Sequence, residues 1–368
     1  DAADDGGLLQ YATSWLRPLS EWLRGDAPED GGADDISGQR RGDAKIAAYQ
    51  EEAPLEEEVL RAHPLYEEAQ CSVEHLILEL EDQRTPDLEQ VRQSVAGLVS
   101  SVVRNPDAVI WLNRLKRTDR YTYDHALEVS VLLMVAGRQM GLSETQLTLL
   151  GTAGLLQDLG KIGLPAELLQ KRSRITLEEY ELFKTHVARS LLILKGNPGI
   201  PPAIVEIVEK HHERLDGSGY PRGLRGGEIG LFAELAGVAD SYCAMTSDTG
   251  YRPAFTNQQA LERLNRMRDV KFSAQVIDLF IQCIGLYPVG TLVKLNTGEV
   301  AVVIAQNRVR RLKPKVMVLL GPDKTPNRYP PTLDLLYDPP SPKGKPYRIL
   351  RALPPNAYGI DPKEFYLA

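Results

Sequence analysis

From Leu55 to Cys283 the apolar residues recur at three- and four-residue steps, and this rhythm commits most of the chain to helices. Leu60, Leu65, Val73, Leu76, Leu78 and Leu80 sit among glutamates in a first run that Pro86 ends. Thr85-Pro86-Asp87 restarts a second helix, carrying Val91, Val95, Leu98, Val99, Val102 and Val103, and a third holds Val109, Leu112 and Leu115. Between Tyr123 and Cys283 the pattern continues. Ser143 (SETQ) and Thr176 (TLEE) are candidate caps, and Pro165 and Pro201-Pro202 fall near expected helix starts. Period-two alternation is scarce there, so the centre is expected to be all-α.

The grammar changes past Tyr287. Thr291-Leu-Val-Lys-Leu, Asn296-Thr-Gly, Glu299-Val-Ala-Val-Val-Ile and Val316-Met-Val-Leu-Leu read as strand, turn, strand and, after a loop, strand. The expected fold class is therefore mainly α with a small carboxy-terminal β module of three to five strands. The Pro-rich tail from Pro322 to Pro355 is expected to be irregular and wrapped on the surface. At the other end, Tyr11 to Leu23 reads as a short amphipathic helix interrupted by Pro18. Gly25 to Asp43, rich in Gly and Asp, reads as a flexible linker.

Charge and cysteine use narrow the function. A net charge of −7 argues against a nucleic-acid coat or a polybasic membrane binder, so no nucleic-acid partner is expected. An anionic substrate stays open, because a buried metal pair reverses the local field. Cys71, Cys243 and Cys283 are widely spaced with no CxxC, which fits a reducing interior and a cytoplasmic location. No apolar run reaches the roughly 18–20 residues that cross a bilayer. The first residues, Asp-Ala-Ala-Asp, lack an initiator Met and leave open an upstream signal or anchor.

Chemistry concentrates in the helical centre. Of six histidines, His63 and His75 have no obvious partner and read as structural or solvent-facing, whereas His125, His186, His211 and His212 come with acids in suggestive places. Asp158 follows the apolar run Gly151 to Leu156, and Asp240 ends the apolar run Leu231 to Ala239. Acids on apolar helix faces are costly to bury unless paired or metal-bound. Several helices each giving one inward His or Asp is how bundles build dinuclear sites, and this donor mixture suits Fe, Mn, Ni or Zn. The plain alternative is a set of satisfied core side chains, and spacing alone goes no further.

The loop His211-His212-Glu213-Arg214-Leu215-Asp216-Gly217-Ser218-Gly219-Tyr220-Pro221 contains an ordinary Asp-Gly turn, but as a whole string it resembles the HD-GYP family, a branch of the HD metal-dependent phosphohydrolases. DLGKIGLPAELL and GVADSYCAMTSD extend the resemblance over about 121–285, and YPVGTLVKLNTGEVAVVI looks like the β extension of some members. The implied organisation is a short helix and linker at 1–43, an amino-terminal helical region at 44–120, an HD-type helical bundle at 121–286, and the β extension with its tail at 287–368.

The resemblance implies hydrolysis of cyclic di-GMP at two divalent transition metals, Fe, Mn, Ni or Zn. His186, His211, His212 and Asp158 match the ligands of one ion. His125, Asp158 and Asp240 match those of the other, with Gln157 a candidate fourth where the signature has His. That second site is expected to be weaker or empty, since an amide oxygen is a poorer ligand than imidazole for late transition metals. Tyr121 stands where some members have a Glu for a third metal, so a trinuclear site is not expected. Asp158 and Lys161 match catalytic positions, and Lys161, Tyr220 and Arg252 match substrate-contacting ones. Gly219, Tyr220 and Pro221 match a loop that docks diguanylate cyclase (GGDEF) domains, and a homodimer is a further partner expectation. Thr249 replaces a phosphate-contacting Arg. Three readings follow: a phosphodiesterase with reduced activity, a module that binds cyclic di-GMP or a protein without turnover, and a helical scaffold.

Overall fold

The computed structural model describes residues 49, 52–115, 121–197, 199–247, 253–307, 310, 312–342, 344–354 and 357–360. The expected helix at 11–23, the linker at 25–43, and Thr249 and Arg252 lie outside the described residues.

Three helices open the described chain: α1 (Leu55–Glu81), α2 (Leu88–Arg104) and α3 (Pro106–Leu115). Asp87 caps α2 by accepting from the backbone N–H groups of Glu89 and Gln90. The two long helices are tied by a bidentate pair in which Arg104 donates to the fully buried Glu58 at 2.8 Å. Glutamate rarely goes under without such a partner.

The centre comprises α4 (Tyr121–Gln139), α5 (Glu144–Leu156), the short α6 (Ala166–Leu169), α7 (Leu177–Lys195), α8 (Pro202–Lys210), α9 (Leu231–Thr246), α10 (Asn257–Arg266) and α11 (Ala274–Ile284). Ser143 and Thr176 form full capping boxes with Gln146 and Glu179, and Pro202 occupies the first turn of α8. Helix α5 is buried from Leu150 to Leu156 and α9 from Ala233 to Asp240. Helices without a polar face belong at the middle of a bundle. Asp158, just past the end of α5, and Asp240, within α9, are therefore delivered into the interior.

The chain finishes in a five-stranded antiparallel sheet of order β4-β3-β2-β1-β5. Its strands are β1 (Leu292–Leu295), β2 (Val300–Ala305), β3 (Lys315–Leu320), β4 (Thr332–Asp334) and β5 (Ile349–Ala352). Val300, Val302 and Ile304 join the helical core, while Ala301 and Val303 pack in a second cluster with Val293, Val316 and Val318. Burial on both faces explains why β2 reads as a continuous apolar run. The tail departs from expectation, because it is not irregular throughout: it supplies both edge strands. At three and four residues these are too short to show a period, and edges are where a Pro-rich chain can pair.

Candidate metal centre

Five helices bring their chemistry to one buried point. His125 comes from the first turns of α4, Asp158 from just beyond the end of α5, His186 from the middle of α7, His211 and His212 from the end of α8, and Asp240 from α9. All six are at most 9% exposed. His125 Nε2 lies 2.9 Å from Asp240 Oδ1 and 3.4 Å from Asp158 Oδ2. The other Asp158 oxygen, Oδ1, is 3.3 Å from His186 Nε2 and 3.9 Å from His211 Nε2. His212 Nε2 stands 3.1 Å from His186 Nε2, and its Nδ1 stands 3.8 Å from Asp240 Oδ2.

Two overlapping donor groups result. Asp158, His186, His211 and His212 present atoms within 4.8 Å of one another, and so do His125, Asp158 and Asp240. The tautomers of two imidazoles follow from their outer contacts. His186 Nδ1 donates to Phe183 O and His211 Nδ1 to Val208 O, each at 2.7 Å, so both Nε2 lone pairs face inward. Asp158 Oδ1 and His211 Nε2 are buried without a hydrogen-bond partner. Convergent lone pairs and orphaned acceptors suit a cation, and these residues fit divalent metal.

Electrostatics point the same way. Burial alone would lower the His125 pKa, but its contacts with Asp158 and Asp240 outweigh this and raise it to about 9. That proton is the positive charge the two carboxylates demand, and a metal ion answers the same demand. Burial pushes His211 down to about 4 and His212 well down, leaving neutral rings with free lone pairs. Burial would raise Asp158, yet the Lys161 charge and the His125 imidazole hold it well below the usual carboxylate range. Burial would raise Asp240 as well, but the His125 hydrogen bond together with the neighbouring His212 and His125 rings lowers it.

Gln157, Lys161 and Tyr220 lie beside this point. Gln157 is 1% exposed, and neither its amide oxygen nor its nitrogen has a hydrogen-bond partner. Lys161 Nζ donates to Asp158 Oδ2 at 2.7 Å from the 3-10 turn Leu159–Gly163. Tyr220 lays its ring on His212, centroids 4.6 Å apart and planes 25° from parallel. His63 and His75 lie on α1, each beside a glutamate one turn on, and take no part.

Two supporting residues escaped the sequence reading. Ser190, on α7, donates to Gln157 O at 3.0 Å and accepts from Gly160 N at 2.8 Å, clamping the Gln157–Gly160 backbone. A Cβ at Gly160 would meet His186 O at 2.0 Å, so glycine alone permits this approach. Glu213, which follows the histidine pair, is outside both donor groups. Its buried carboxylate accepts from Arg222 N at 2.7 Å and Leu224 N at 2.9 Å, fixing the loop that carries Tyr220. Gly219 is equally confined, since a Cβ there would lie 2.4 Å from Glu213 Cα.

A helical bundle that gathers imidazoles and carboxylates around one shared aspartate has the architecture of an HD-type phosphohydrolase domain. The chain belongs to the HD domain family, whose profile matches residues 90–276, and the His211–Pro221 loop sets it in the HD-GYP branch. It is 34% identical over 267 residues to Cyclic di-GMP phosphodiesterase PA4108 of Pseudomonas aeruginosa, covering 73% of this chain and 64% of that protein. A cyclic di-GMP phosphodiesterase of Thermotoga maritima is 36% identical over 165 residues, covering 45% of each. The chain thus spans 45% to 64% of the length of these two curated relatives. Among solved structures, the HD-GYP-type protein Bd1817 of Bdellovibrio bacteriovorus shares the fold, with a TM-score of 0.51 at 20% identity over 63% of this chain and 74% of that one. No described helix is long and apolar enough to cross a membrane.

Proposed function

We propose that this chain hydrolyses cyclic di-GMP to linear pGpG, and onward to GMP, with the help of divalent transition metal ions. We further propose that turnover is slowed by Gln157 and Thr249, its two departures from the family pattern. The observation that carries the reading is the sharing of Asp158 between two donor groups, which is what a bridged pair of ions requires. The first group, with three imidazoles, suits Fe, Mn, Ni or Zn; the second has one imidazole and two carboxylates and is harder in character. Gln157 Oε1 is the candidate neutral ligand that completes it.

Bound there, the ions supply Lewis acidity, lowering the pKa of water and offsetting charge on phosphoryl oxygens. The chain's own residues bind and orient. Asp158 aligns the two donor groups through its separate oxygens. Lys161, whose side chain is 12% exposed and holds Asp158 Oδ2 at 2.7 Å, is assigned to a phosphate oxygen of the substrate. Burial raises the Tyr220 pKa, so its hydroxyl stays protonated and can donate to substrate. Arg252 is assigned to the substrate by the resemblance. Exposed Pro221 and Arg222 leave the outer side of the loop for a diguanylate cyclase domain.

The test is reconstitution with Mn or Fe followed by chromatography of cyclic di-GMP and its products. Metal-dependent appearance of pGpG is expected. Tight binding of cyclic di-GMP with no product under any metal would instead establish a receptor without turnover. One observation favours that second reading: the amide at Gln157 occupies an imidazole position.

A further inference from the structure

One step outward from the cluster, α7 presents two residues that the metal chemistry does not use. Tyr180 and Lys184 stand one turn apart, ahead of His186 on the same helix. Tyr180 is 40% exposed. Its ring meets Tyr220 edge-on, centroids 6.2 Å apart and planes at 86°, and Tyr220 in turn stacks on His212. Lys184 Nζ lies 5.3 Å from the centre of the Tyr180 ring and 5.9 Å from that of Tyr220, within cation–π range of both. Lys184 is also paired with Glu181 at 2.7 Å, which fixes its direction.

A lone exposed tyrosine is ordinary. Here three rings step from a buried imidazole to an open aromatic face, and one ammonium is shared by the outer two. A π-face next to a cation, at the lip of a phosphate-directed site, is the chemistry that recognises a nucleobase with its phosphodiester. Tyrosine also offers this area with only two side-chain torsions to order.

We propose that Tyr180, steadied by Lys184 beside Tyr220, is a stacking platform for one purine of the cyclic dinucleotide whose phosphodiester lies at the His/Asp cluster. This rests on the cyclic di-GMP reading above and adds to it how a base is held.

The experiment uses a cyclic dinucleotide in which one guanine is replaced by 2-aminopurine, whose fluorescence is quenched on stacking. Metal-loaded wild-type chain is expected to quench it. Tyr180→Ala should abolish the quenching, raise Kd and KM by about 5- to 100-fold, and leave bound metal at the wild-type level. Tyr180→Trp should restore both quenching and affinity. Lys184→Met should keep the quenching but bind with a shallower salt dependence. Undiminished quenching and affinity in Tyr180→Ala would overturn the platform while leaving the cyclic di-GMP reading intact. Loss of metal along with affinity in Tyr180→Ala would make the residue scaffold and overturn it too. Wild-type protein that neither binds nor cleaves the dinucleotide would sink the parent reading and the platform with it.

Discussion

At position 157 an amide stands where the family signature has an imidazole, and the surroundings have not been rebuilt to satisfy it. Both polar atoms of Gln157 are buried and unpartnered, a situation that costs roughly 1–3 kcal/mol per unpaired group. A residue retained in that state is better explained by a weak ligand role than by packing. Gln157→His is therefore expected to raise bound metal toward two ions per chain and to increase cyclic di-GMP turnover by about 10- to 100-fold, the range in which metal-shell changes act. Elemental analysis and chromatography read the two effects separately. Unchanged metal content and unchanged rate would remove Gln157 from the metal shell altogether.

Elements matter here as carriers of backbone. The donor positions depend on how closely the turn after α5 lies against α7, and Ser190 with Gly160 sets that distance. Ser190→Ala keeps every candidate ligand but strands Gly160 N–H and Gln157 C=O, so a stability loss of about 1–3 kcal/mol is expected. Metal affinity should fall about 10- to 100-fold as Asp158 loses its fixed bearing. Chemical denaturation and metal titration measure these, and wild-type affinity in a destabilised Ser190→Ala would show that the clamp serves stability alone. Nothing in the string Arg189-Ser190-Leu191 marks this serine, because its partners are 30 and 33 residues away in the chain. The caps at Ser143 and Thr176 were legible because their partners lie three residues on. Strands β4 and β5 were not, since pairing rather than local pattern defines them.

On the scale of the molecule, the histidines and aspartates could be picked out because burying them needs a reason, and they stand together in the fold. Their division into two groups around Asp158 came from the family resemblance, as no spacing rule joins residues on five helices. The sequence likewise marks a change of grammar at Tyr287, but the core does not break there. Val289, Leu292, Val300, Val302, Ile304 and Leu319 pack in the same cluster as Trp111, Leu112 and the central helices. Arg114 reaches Thr291 at 3.2 Å, and Gln306 N donates to Asp107 at 3.3 Å. Each such buried side chain contributes roughly 1.5–3 kcal/mol, so the six together rival the 5–15 kcal/mol that keeps a whole protein folded. Ending the chain after Leu286 is therefore expected to abolish cooperative thermal unfolding and metal retention, although every candidate ligand remains. Circular dichroism melts, dye binding to exposed apolar surface and elemental analysis would follow the change. A shortened chain that melts at the wild-type temperature and keeps its metal would show that the sheet is an appendage and that the helices hold the site unaided.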